Sequence, residues 1–163
     1  MTTAIRNAIE ADVPEILSLI RALAAYERVP DAVKATESDL RKHGFGPNAY
    51  YQCLLAEADG QPTGFAFYFF DYSTWMGRPG IYIEDLFVYS EFRGRGLGKA
   101  LLRRVAAAVE KGCARLKWEV LDWNTPAIEF YSTMGAELTA GLRTVRVTGE
   151  NLARLAGTAE AAQ

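Results

Sequence analysis

Hydrophobic and polar positions along this chain fall into two periods, and the change from one to the other marks its elements. Residues 3–9 read as a first strand. Behind Asp12, Pro14 and Glu15, the residues Val13, Ile16, Leu17, Ile20, Leu23 and Ala24 recur at helical spacing, which predicts a helix opened by a capping box and running to about Tyr26. Thr36 and Gly44 bracket a second, short helix. Residues 51–58 and 63–72 read as strands joined across Asp59-Gly60-Gln61-Pro62, the turn chemistry of a hairpin. A loop over residues 73–80 then leads into a strand over 81–88. Leu101, Leu102, Val105, Ala106 and Val109 return to helical spacing as far as Gly112. Trp118 and Val120 alternate with Lys117 and Glu119 in a strand over 115–121, and Pro126 opens a helix that carries Ile128, Phe130, Tyr131 and Met134 to Gly135. A last strand is expected over 144–148, with residues 157–163 a frayed tail. The order β-α-α-β-β-β-α-β-α-β predicts an α+β (mixed α/β) fold with one hairpin-rich sheet, and the 163 residues suit a single domain.

Two departures from this pattern carry chemistry. The central strand, Ile81-Tyr82-Ile83-Glu84-Asp85-Leu86-Phe87-Val88, holds two adjacent carboxylates in apolar surroundings. Strand alternation sends Glu84 and Asp85 to opposite faces unless the strand bulges there. The second departure is Arg93-Gly94-Arg95-Gly96-Leu97-Gly98, a glycine turn between that strand and the next helix. A helix start presents unpaired backbone N–H groups and the positive end of the macrodipole, so it suits a phosphate. Glycines permit close approach, and Arg93, Arg95 and Lys99 add charge. A P-loop does not fit, because three residues rather than four separate Gly94 from Gly98 and Ala100 follows Lys99. A dinucleotide fingerprint does not fit either, since the turn reads G-x-G-x-G late in the chain.

Composition narrows the field. A net charge of -2 gives no basic field for nucleic acid. The single histidine, His43, sits at a helix end where a cation is favoured and leaves no histidine-rich metal site, so no metal is expected. Cys53 and Cys113 read as buried thiols of a reducing compartment. No segment has the pattern of a signal peptide or the length of a membrane span, which points to a soluble cytoplasmic protein.

The glycine turn together with Asn124 to Tyr131 ahead of Gly135-Ala136 resembles the GNAT N-acetyltransferases over most of the chain. Tyr26-Glu27, Gly44-Phe45-Gly46, Ser73-Thr74-Trp75-Met76-Gly77-Arg78, Ile83-Glu84-Asp85 and Val120-Leu121-Asp122-Trp123-Asn124 are similar to the spermidine/spermine (diamine) and thialysine acetyltransferases within them. The resemblance implies the acyl-CoA N-acyltransferase fold, a mixed and mostly antiparallel sheet flanked by helices. It implies that Leu86, Phe87, Val88, Arg93, Gly94, Arg95, Gly96, Leu97, Gly98 and Lys99 bind acetyl-CoA, helped by Asn124 and Ala127. It implies that Tyr26, Glu27, Trp75, Glu84, Asp85, Lys117 and Glu119 line the amine side, and that the protein is a homodimer whose acceptor site is partly shared. Ser73 stands where polyamine enzymes carry an acid, and the family's acidic residue and tryptophan near Thr139-Ala140-Gly141-Leu142 are missing. Both losses favour a shorter amine over spermine.

An alkyl amine with a pKa near ~10.4 is almost wholly protonated at neutral pH, so acetyl transfer to it needs a base. Glu84, acting through water, is the candidate base. Tyr131 is the candidate acid for the leaving thiolate, and a backbone N–H at Leu86 or Phe87 the candidate oxyanion donor. The expected function is direct acetyl transfer to a primary amine of a small di- or polyamine or thialysine-like amino acid. Protein lysine, an antibiotic amine, or an acetyl-CoA-binding module without catalysis remain as alternatives.

Overall fold

Asp59 (φ 49°) and Gly60 (φ 80°) both take positive φ, the two-residue turn that matches strand twist, and they close strand β2 (Gln52–Ala58) onto β3 (Gln61–Ser73). β1 (Thr3–Asn7) and β4 (Arg78–Val88) flank this hairpin, and β5 (Leu116–Lys117) ends the sheet. The order is β1-β2-β3-β4-β5, antiparallel throughout except for the parallel β4–β5 pair. The computed structural model describes residues 1–158; residues 159–163 of the expected tail lie outside the described residues. The chain divides into two units, Met1–Glu119 and Val120–Gln163.

In the first unit, alternation gives the sheet two buried faces. Cys53, Leu55, Phe65 and Phe87 pack against Val13, Ile16, Leu17 and Leu19 of α1 (Val13–Tyr26) and Leu40 of α2 (Glu37–Gly44). Tyr51 stacks on Phe67 at 4.0 Å in the same cluster. The intervening residues Leu54, Ala66, Ile81 and Ile83 are buried on the other face, where α3 (Leu97–Ala106) brings Leu97, Leu101, Leu102 and Val105. Thr36 and Asp39 form a capping box at the start of α2, and α3 continues as a tighter turn to Gly112.

Several elements differ from expectation. Asp12 does not cap α1 with its side chain. Its carboxylate accepts from the Ile9 N–H at 2.7 Å and from both terminal nitrogens of Arg6 at 2.6 and 2.8 Å, because a bidentate pair with a guanidinium outweighs a single bond to a backbone N–H of the helix. β5 is two residues long because only Ile81 and Tyr82 of β4 remain in register with it. In the second unit, α4 (Thr125–Ser132) follows Asn124, and residues 144–148 form no strand among the described residues. A strand needs a partner edge, and Val145 is 90% exposed here. A helix, α5 (Gly149–Leu155), follows instead. It closes at Gly157 (φ 68°), with N–H bonds from Gly157 and Thr158 back to Arg154 and Ala153.

Candidate active site

The site begins with one extra residue. Phe67 pairs with Asp85 and Tyr68 with Ile83, so Glu84 has no opposite number and β4 bulges. The bulge resets alternation, which puts Asp85 on the α1 face with Phe87 and leaves Glu84 exposed beside it. Glu27, at the C-terminal end of α1, is the third carboxylate. Burial, then the negative charges of Glu84 and Glu27, push the Asp85 carboxyl up to about 7. Burial also raises Glu27. Such a cluster attracts cations, and its most desolvated member exchanges a proton near neutral pH.

Beyond the bulge β4 has an open edge. β5 pairs with Ile81 and Tyr82 alone, so no strand among the described residues meets that edge from Ile83 to Val88. Leu86, Phe87 and Val88 lie along it. The chain then reaches the glycine turn, where Gly94 and Gly96 have φ of 72° and 80°. No atom lies within 4 Å of where a Cβ would project from either, so the constraint is backbone conformation beside open space. The first ladder bond of α3 runs from Ala100 N–H to Gly96 at 2.9 Å, which leaves the N–H groups of Leu97, Gly98 and Lys99 ahead of it. Arg95 and Lys99 are exposed. A cradle of this kind suits an anionic group such as a phosphate, and the unpaired β4 edge offers backbone groups to an extended amide-bearing arm.

Arg93 has a different place. Its Nε donates to the Val88 carbonyl at 2.8 Å, and its guanidinium lies over Tyr26 at 4.6 Å and Phe87 at 5.5 Å. Tyr26 and Phe87 pack at 6.3 Å. Arg93 therefore joins the glycine turn to the aromatic wall beside Glu27 and Asp85.

Tyr82, not singled out from the sequence, extends the same face. It stacks on Phe69 at 5.2 Å, and Lys117 Nζ lies over its ring at 5.2 Å. Burial, then Glu119 and Glu84, raise the Tyr82 hydroxyl. The spacing of Tyr82 from Asp85 was the available signal, hidden because regular alternation separates those two residues. Trp75 stands apart at the β3–β4 turn, 99% exposed. Ser73 serves that turn, its hydroxyl accepting from Met76 N–H at 3.3 Å. In the second unit, Asn124 is buried at the start of α4, with Ala127 and Tyr131 half-buried on that helix. No group of three or more His, Cys, Asp and Glu among the described residues is placed to hold a metal ion, and no helix among them is long and apolar enough to cross a membrane.

The sequence matches the acetyltransferase (GNAT) family over residues 15–136. It is 45% identical to thialysine N-epsilon-acetyltransferase of Sus scrofa over 165 residues, covering 94% of this chain and 96% of that protein. It is 31% identical to an L-ornithine N5-acetyltransferase of Arabidopsis thaliana, covering 93% and 87%. Among solved structures, an integron cassette protein from V. cholerae superposes with a TM-score of 0.79 at 27% identity, covering 96% of this chain and 98% of that one. A five-stranded mixed sheet with helices on both faces, opened by a bulge ahead of a glycine turn, agrees with that match, and the chain belongs to the GNAT family of acetyltransferases.

Proposed function

We propose that this enzyme transfers an acetyl group from acetyl-CoA to the terminal amine of a small diamine or a thialysine- or ornithine-like diamino acid, by direct attack within a ternary complex. The observation that carries the reading is the trio of carboxylates at the bulge, where burial, then the charges of Glu84 and Glu27, push the Asp85 carboxyl up to about 7. The names of the curated relatives support the acceptor class.

Acetyl-CoA supplies an activated thioester. Arg95, Lys99 and the N–H groups from Leu97 to Lys99 would hold its phosphates, with Leu86, Phe87 and Val88 along its arm and Asn124 and Ala127 assisting. Glu27 and Glu84 draw in the ammonium and raise the proton affinity of Asp85. Glu84 and Asp85 share the work of removing the amine proton through water. Glu84 is the solvent-facing end of that relay, and Asp85 is the end whose affinity matches neutral pH. A backbone N–H at Leu86 or Phe87 polarises the acyl oxygen, and the Tyr131 hydroxyl holds the proton for the departing sulfur.

The reading includes a homodimer, supported by the apolar residues left in solvent at the β3–β4 turn, Tyr72, Trp75 and Met76. It includes a cytosolic setting, supported by two free buried thiols. The test is free CoA release from acetyl-CoA with purified protein and a panel of putrescine, spermidine, spermine, lysine, ornithine and thialysine, with product mass confirmed. Turnover of a short diamine or diamino acid well above spermine is expected. Silence across the panel with acetyl-CoA still bound would remove the reading, and turnover of lysine peptides alone would redirect it. Sedimentation as a monomer at micromolar concentration would remove the dimer.

A further inference from the structure

The acceptor face is electrically two-ended. At the bulge end stand Glu27, Glu84 and Asp85. At the other end Lys117 enters from β5, where it pairs with Tyr82, and its Nζ lies 5.2 Å over the Tyr82 ring. Asp71 is the nearest carboxylate to that ammonium, at 3.9 Å, but the same Oδ2 is already held by Arg115 at 2.7 Å. Two cations thus share one carboxylate, and Lys117 is the more distant and more exposed of the two. Two buried atoms at this spot, Asp71 Oδ1 and Arg115 Nε, have no hydrogen-bond partner. They are the second arm of a fork whose first arm is made, so Asp71 is committed to Arg115 rather than to Lys117. Glu119, two residues beyond Lys117 and past the end of β5, lies close enough to Tyr82 for its charge to raise that hydroxyl.

A purely cationic diamine gains nothing from a positive charge at the far end of its site. We propose that Lys117 is a specificity residue that binds the α-carboxylate of a diamino acid acceptor, so that this protein prefers diamino acids to diamines of the same length. The proposal rests on the acceptor reading above. Tyr82 lies three positions before Asp85 across the bulge, and neighbouring strands are about 5 Å apart, so the Lys117 and Asp85 backbones are on the order of 10 Å from each other. An extended diamino acid spans that gap with its terminal amine at Asp85 and its carboxylate at Lys117. Glu119 then lies beside the α-ammonium.

The experiment compares thialysine with bis(2-aminoethyl) sulfide, the same molecule without its carboxylate, as acceptors for the wild type, Lys117→Met and Lys117→Arg. Wild-type kcat/KM should favour thialysine. In Lys117→Met the thialysine-to-diamine ratio should fall on the order of 10- to 100-fold, carried by KM for thialysine rather than kcat, as for loss of one charge-assisted contact in ground state and transition state alike. Lys117→Arg should retain most of the preference. Equal wild-type kcat/KM for the two acceptors, or a Lys117→Met ratio unchanged from wild type, overturns the inference while leaving the amine acetyltransferase reading in place. Transfer to neither acceptor overturns both.

Discussion

Cys53 and Asp85 face the same side of the sheet, each paired with Phe67 from opposite flanks, and burial raises the proton affinity of both. Their fates differ. Cys53 sits in regular ladder beneath α1 and α2, where burial, then the negative charges of Asp12 and Asp85, push its thiol so high that it stays protonated and inert. Asp85 sits one residue past a bulge, half-buried, with two carboxylates near it and an open strand edge beyond. Near-complete burial silences a titratable group; partial burial beside a defect in the sheet sets its affinity near neutral pH and keeps it in reach of solvent.

The contrast breaks most decisively at Asp85. Asp85→Asn should lower kcat/KM by about 10²- to 10⁴-fold, the usual range for a lost acid or base. Its fold should be at least as stable as wild type at pH 8. The sign follows from the direction of the shift: a carboxyl raised on folding contributes stability below its unfolded value, and that contribution is lost as pH rises through about 7. Kinetics that survive the change would return Asp85 to a structural role.

The pH profile sharpens the same point. Wild-type kcat/KM should rise with pH through an apparent value of about 7 as Asp85 loses its proton. Glu84→Gln should lower turnover steeply by breaking the relay, and should also move that limb to lower pH, because the Glu84 charge is one cause of the raised affinity. Full activity in this variant would remove Glu84 from the chemistry. A limb that moved to higher pH would contradict the charge coupling.

At the inert end, Cys53→Ser should leave kcat within about twofold while costing about 1–3 kcal/mol in denaturant unfolding, because a buried hydroxyl replaces a group that behaves as a hydrophobe. A large kinetic effect without loss of stability would erase the contrast. Asp12→Asn, which breaks the fork to Arg6 far from the bulge, should cost less, about 1 kcal/mol, since Arg6 is partly exposed. Arg6 lowers the Asp12 carboxyl, so this contribution is present above the unfolded carboxyl value and is lost as pH falls through the folded one. Urea midpoints at pH 7 and pH 3 measure it.

How far the sequence could be read divides along the same line. β2, β3, α1, α2 and the glycine turn follow from periodicity and turn chemistry, since each is a local pattern that the fold keeps. Glu84-Asp85 was legible as an anomaly, but which face each residue took was not. A bulge is a count across two strands, and no single strand records it. Arg93 is legible as a charge beside the turn, but not that its guanidinium also lies on Tyr26, a contact between residues 67 positions apart. Residues 144–148 alternate well enough to suggest a strand, yet alternation says nothing about whether an edge is free to receive it. α5 carried its own signs in Thr148, Glu150 and Gly157, but at seven residues its periodicity is too brief to stand out.

The bulge also has a meaning in terms of the gene. Glu84 is surplus to the ladder: without it, Ile83 and Asp85 would still meet Tyr68 and Phe67, in unbroken alternation. Losing one codon would therefore leave every downstream side chain on its present face and give a more regular sheet. The deletion that most tidies the ladder is also the one that removes a carboxylate from beside Asp85.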